Sequence, residues 1–95
     1  MVNLRVTALT GAQLRAARAL VDLSAEALAV ETRIGLRTIG RAEREHGTVS
    51  LTAANAARIV EALEARGVIF IWASESEGPG VRLRAVPSPS FASGA

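Results

Sequence analysis

Apolar positions along this 95-residue chain follow three rhythms in succession. In the opening segment, residues 1–8 (MVNLRVTA), Val2, Leu4 and Val6 fall on one side of an extended chain and Asn3, Arg5 and Thr7 on the other. That is the period-two mark of a strand, although a frayed terminus fits the same residues. Over 11–66 the spacing turns helical. Thr10 is placed to cap a first helix over 11–21, with Gln13 at the capping-box position. Leu14, Ala17, Leu20 and Val21 form its apolar stripe, and Arg15 faces outward. Ser24 caps a short second helix ending near Glu31 or Thr32, with Leu28 and Ala29 turned inward. Thr32-Arg33-Ile34-Gly35 is a tight connection in which Ile34 plugs the core. A third helix follows over 36–45, with Ile39 and Ala42 inward and Gly47 closing the region. Ser50 or Thr52 caps a fourth helix reaching Arg66, whose Ala56, Ile59, Val60 and Leu63 repeat at helical spacing before Gly67 ends it.

After Gly67 the rhythm changes again. Val68-Ile69-Phe70-Ile71-Trp72 is β-branched and aromatic, a strand by composition. A polar linker over 73–80 leads to Val81, Leu83 and Ala85 alternating with Arg82 and Arg84, so 68–86 is expected to be a β-hairpin. Its first strand is apolar on both sides. Burial of both sides calls for a second subunit; one buried side and one partly exposed side is the other possibility. Val68, Ile69, Phe70, Ile71, Trp72, Val81 and Leu83 are therefore the candidate dimerisation residues. Residues 87–95, PSPSFASGA, read as a disordered tail. The expected fold class is mainly α, a bundle of four or five short helices over 1–67 followed by the hairpin.

Composition narrows the chemistry. With only Phe70, Trp72 and Phe91 as aromatics, alanine, leucine, valine and isoleucine must fill the core, which favours closely packed short helices. The chain has no cysteine, hence no disulfide, thiolate metal site or cysteine nucleophile. His46 is the single histidine, and Gly78-Pro79-Gly80 lacks the lysine and Ser/Thr of a phosphate-binding loop. No enzyme activity, metal or cofactor is expected. Apolar runs fall far short of a bilayer span and the N-terminus lacks a secretory pattern, so a cytoplasmic protein without membrane association is expected.

The net charge of +2 is uninformative, but its distribution is not. Every basic residue is arginine, and four arginines lie between positions 33 and 44, whereas acids gather at Glu61, Glu64, Glu75 and Glu77. Arg37 and Arg41 stand one helical turn apart, with Arg44 three residues on, opposite Ile39 and Ala42. A helix apolar on one side and guanidinium-lined on the other suits a nucleic-acid groove.

Residues 25–44 resemble the helix-turn-helix unit of the Cro and phage-repressor (Xre-like) regulators. TGAQLRAARALVDLSAEALA resembles the first two family helices and RTIGRAE the recognition helix. EALEARGVIF followed by GPGVRLR resembles the last helix and hairpin of small bacterial members. The resemblance implies a phage-repressor-like bundle with Leu28, Ala29, Ile34, Ile39 and Ala42 as core. It also implies a salt bridge between Arg18 and Glu43, base-reading by Leu36, Arg37, Thr38 and Arg41, and phosphate contacts from Ser24, Arg33 and Arg44. Three positions depart from the family pattern. Ala25 replaces a backbone-binding glutamine, Arg33 stands where the turn has glycine, and Gly35 replaces a Ser/Thr cap. The function so implied is a dimeric transcriptional regulator, a repressor on double-stranded DNA. The alternative is an antitoxin-like module whose hairpin or tail binds another protein.

Overall fold

The computed structural model describes residues 8–85. The alternating segment before Ala8, and Val86 with the tail 87–95, lie outside the described residues. Four helices come first, α1 (Gly11–Leu20), α2 (Ala25–Thr32), α3 (Leu36–Glu43) and α4 (Ala53–Glu64), followed by strands β1 (Val68–Ile71) and β2 (Gly80–Leu83). Side-chain oxygens start three of the helices. Thr10 forms a complete capping box with Gln13, Ser24 accepts from the Ala27 N–H, and Thr52 accepts from the Asn55 N–H. Ser50, the other candidate cap for α4, instead donates to the Glu45 carboxylate at 3.2 Å.

Three helices stop earlier than their apolar periodicity suggests. The N–H groups of Asp22, Arg44, Glu45, Arg66 and Gly67 each bond to a carbonyl three residues back. This tighter geometry ends α1 at Leu20, α3 at Glu43 and α4 at Glu64, short of the expected Val21, Glu45 and Arg66. The hairpin is also shorter than expected. The Ser74 N–H turns to the Glu77 carbonyl, leaving Trp72 outside β1, and Arg84 and Ala85 lie beyond β2.

Leu9, Leu14, Leu28, Ile39, Ile59 and Leu63 form the fully buried centre of the core, with Ile34 entering from the α2–α3 turn. Burying each such aliphatic side chain contributes roughly 1.5–3 kcal/mol. Helix α2 packs on α3 and α4, while α1 packs on α3 and carries the hairpin. The strands pair antiparallel, Val68 with Leu83 through Ile71 with Gly80. Cross-strand partners share a face, so Val68, Phe70, Val81 and Leu83 turn to the core and Ile69, Ile71 and Arg82 turn away. Val68 and Phe70 are buried by their own chain, Ile69 is half-buried and Ile71 is 41% exposed. Their own bundle therefore covers one side of β1. Val68 and Phe70 thus have their side chains covered within the chain, Val81 and Leu83 are half-buried, and Ile69 and Ile71 lie on the side turned away. Trp72, partly buried, stacks on Phe70 with ring centroids 5.6 Å apart.

Gln13 fastens the hairpin to the bundle. Its side chain is buried, its Oε1 accepts from the Thr10 N–H, and its Nε2 donates to the carbonyls of Ile71 at 3.0 Å and Gly80 at 3.1 Å. Both carbonyls belong to the last rung of the ladder. Among the described residues, no helix is long and apolar enough to cross a membrane.

Candidate nucleic-acid interface

The candidate surface is built on the α2–turn–α3 unit. Within α2 the Thr32 hydroxyl donates to the Leu28 carbonyl at 2.7 Å, which lets a polar side chain lie buried. The helix then ends on Arg33, whose φ of 60° and ψ of 34° are left-handed. This conformation lets the Arg33 and Ile34 N–H groups both close on the Ala29 carbonyl, the latter in the six-to-one pattern of a helix end. It also swings Ile34 into the core. The cost is about 1 kcal/mol or more for a residue with a Cβ. Gly35 starts α3 without a side-chain cap bond.

Helix α3 buries Ile39, Ala42 and Glu43, and presents Leu36 (45% exposed), Arg37 and Arg41 on the opposite side, with Thr38 half-buried between. Arg44 is the residue that closes the helix rather than one within it. Its guanidinium folds back over Gly40, where Nη1 would lie 3.4 Å from an added Cβ. The missing side chain of Gly40 leaves room for Arg44 against the helix.

Two arginines of α1 hold α3 in place. Arg18 meets the Glu43 carboxylate through Nε and Nη2, the latter at 2.8 Å, and donates Nη1 to the Leu23 carbonyl at 2.9 Å. The pair is largely sheltered, with side-chain exposures of 22% for Arg18 and 10% for Glu43. Hydrogen bonding to Glu43 holds the Arg18 guanidinium above its usual range against the opposing effect of burial, helped by the charges of Glu43 and Glu26. Arg15 faces outward, as its place on the helix suggests, but its guanidinium also donates to the Glu43 backbone carbonyl. Cations at the α3 C-terminus satisfy carbonyls left open there and oppose the helix dipole. Gly11 completes the junction. A Cβ there would lie 2.5 Å from the Glu45 carbonyl oxygen and 2.6 Å from that of Ala42, so only glycine lets α1 start against the end of α3.

This division of labour sorts the arginines. Arg15, Arg18, Arg58 and Arg66 are engaged, Arg58 with the Thr32 carbonyl at 3.4 Å and Arg66 with Glu31 at 2.6 Å. Among the described residues, the guanidinium groups of Arg33, Arg37, Arg41 and Arg44 make neither a hydrogen bond nor an ion pair, and all four residues are exposed. Of the two acids flanking Arg44, Glu43 is taken by Arg18 and Glu45 accepts from the Ser50 hydroxyl. The Ser24 hydroxyl is spent on capping α2 at 3.0 Å from the Ala27 nitrogen, so Ser24 offers a phosphate its helix end rather than a free side chain. Gln13, Arg15, Gly11 and Gly40 escape sequence reasoning because their partners lie far along the chain or in backbone packing. Only the capping-box spacing of Gln13 hinted at a fixed side chain.

No model of a known protein family matches the chain, and no curated protein matches it.

Proposed function

We propose that the chain is a sequence-specific DNA-binding regulator of the helix-turn-helix type, resembling the Xre-like repressors, which docks α3 in the major groove and acts as a dimer. The observation that carries this is the set of four exposed guanidiniums on α3 and its flanks, with Glu43 drawn away by Arg18 of α1, Glu45 by Ser50 and Glu31 by Arg66. Arg37 and Arg41 read base edges; arginine bonds guanine bidentately, a contact that discriminates by roughly 1–3 kcal/mol. Leu36 meets a thymine methyl and Thr38 sits beside it. Arg33, Arg44 and the helix end at Ser24 contact phosphates and set the register. Two recognition helices on a two-fold-related site supply the affinity that one short helix lacks.

A mobility-shift titration at two salt concentrations tests this. Binding weakens steeply with salt, Arg37→Ala and Arg41→Ala abolish sequence preference with the fold intact, and Arg33→Ala or Arg44→Ala each lower the salt slope by about one. Retained preference in both base-reading variants would overturn the assignment of α3. Binding of another protein through the hairpin, as in an antitoxin, is the second proposal, and the exposed Ile71 is the feature that supports it.

A further inference from the structure

The unpaired edge of β1 has a self-complementary pattern. Just past the ladder, the Arg84 N–H donates to the Gly67 carbonyl at 2.7 Å. Bonded and non-bonded pairs alternate along an antiparallel ladder. Ile69–Arg82 and Ile71–Gly80 are therefore the bonded pairs, and the N–H and C=O groups of Val68 and Phe70 point to the opposite edge. Among the described residues no strand lies beyond that edge, and no backbone hydrogen bond outside the helices and ladder reaches Val68 or Phe70. Edge strands ordinarily carry a charge, a proline or a bulge that blocks pairing. The run Val68-Ile69-Phe70-Ile71-Trp72 carries no charge and no proline; the arginines of the hairpin are on β2 and beyond it. Beside that edge, Phe70 and Trp72 line an open cavity of about 440 Å³ with Ala8, Ala73 and Ser74.

We propose that β1 pairs antiparallel with β1 of a second copy of this chain, about a two-fold axis at Phe70, to give a continuous four-stranded sheet. This specifies the interface of the dimer proposed above and depends on the DNA-binding proposal only for what the dimer serves. In this register Phe70 faces Phe70 of the second copy, Ile69 faces Ile71, and Val68 faces Trp72, so the whole apolar run is used. A shift by one residue about Ile69 or Ile71 leaves part of the run unpaired. The two Ile pairs cover the outward side that the single chain leaves partly exposed. Antiparallel pairing keeps the two Glu75 side chains at opposite ends of the paired strands. Parallel pairing would instead set Glu75 beside Glu75. A two-fold contact of this kind is closed and does not propagate into a fibre.

The chain has no cysteine, which allows a clean test of register. The Ile69–Ile71 contact is a non-bonded pair with Cα atoms about 4.5 Å apart, within the span of a disulfide. Mixing full-length Ile69→Cys and Ile71→Cys chains under mild oxidation is expected to give the mixed covalent dimer in preference to either self-linked one. Light scattering without DNA is expected to report two chain masses for the wild type and one for Ile71→Lys, with unchanged circular dichroism. A wild-type monomer, or preferential self-linking of either variant, overturns the proposal. A monomer that results because residues 1–7 cover the edge is revealed by dimerisation on their deletion, and also overturns it for the full chain. DNA binding is read separately: a monomer that still binds DNA sequence-specifically leaves the functional proposal standing.

Discussion

Replacing Gln13 tests how firmly the hairpin is held to the helices. Its side chain is 2% exposed and makes three hydrogen bonds of 3.1 Å or shorter, one to the Thr10 N–H and two to the last rung of the hairpin. Gln13→Leu keeps the volume and removes all three. At about 0.5–1.5 kcal/mol net for each bond, the expected loss is about 2–4 kcal/mol. For a domain of this size each kcal/mol moves the melting temperature by roughly 4–8 °C, so the midpoint falls by on the order of 10–25 °C. Gln13→Glu separates the donor from the shape. It keeps an acceptor for Thr10 but turns a carboxylate towards two carbonyl oxygens, so burial and repulsion raise its folded-state pKa above the ordinary value of about 4.3. Folding then favours the protonated acid. The Glu variant regains stability as pH falls from neutral through its raised folded pKa, and loses it again as pH rises. The Leu variant's deficit relative to wild type stays level over the same range. Trp72, the only tryptophan and stacked on Phe70, reports the hairpin by fluorescence, while circular dichroism reports the helices. A Leu variant melting within about 2 °C of wild type, or a Glu deficit unchanged between pH 7.5 and 5, would refute the reasoning.

Other positions give sharper contrasts. Arg33→Gly relieves the left-handed strain and is expected to raise the melting temperature by roughly 4–8 °C while weakening DNA binding; a drop in thermal melts would contradict the strain. Two glycine-to-alanine changes should differ in sign. Gly40→Ala gains about 1 kcal/mol of helix propensity because only the flexible end of Arg44 must move. Gly11→Ala, which would put its Cβ against two backbone carbonyls, should cost about 1–3 kcal/mol, as denaturant titrations can show. Glu43→Ala leaves Arg18 without its carboxylate and should cost about 2–4 kcal/mol, with Arg18→Met/Glu43→Leu recovering part of it. A double-mutant cycle measures the coupling.

The helices and their inward faces were legible in the linear order because their causes are local. Thr10, Ser24 and Thr52 accept from N–H groups three residues away. Ile39 and Ala42 against Arg37 and Arg41 show the helical period directly. Three helices end one or two residues before their apolar periodicity does, because that periodicity does not record a change of hydrogen-bond step. Folding decides what depends on groups distant along the chain: which arginines are engaged, where Gln13 spends its amide, why Gly11 must be glycine, and which side of β1 the bundle covers. Leu23–Glu45 shows both kinds of cause. Its outward arginines follow from helical spacing, but their freedom from Glu43 comes from Arg18, which meets that carboxylate only when α1 packs across α3.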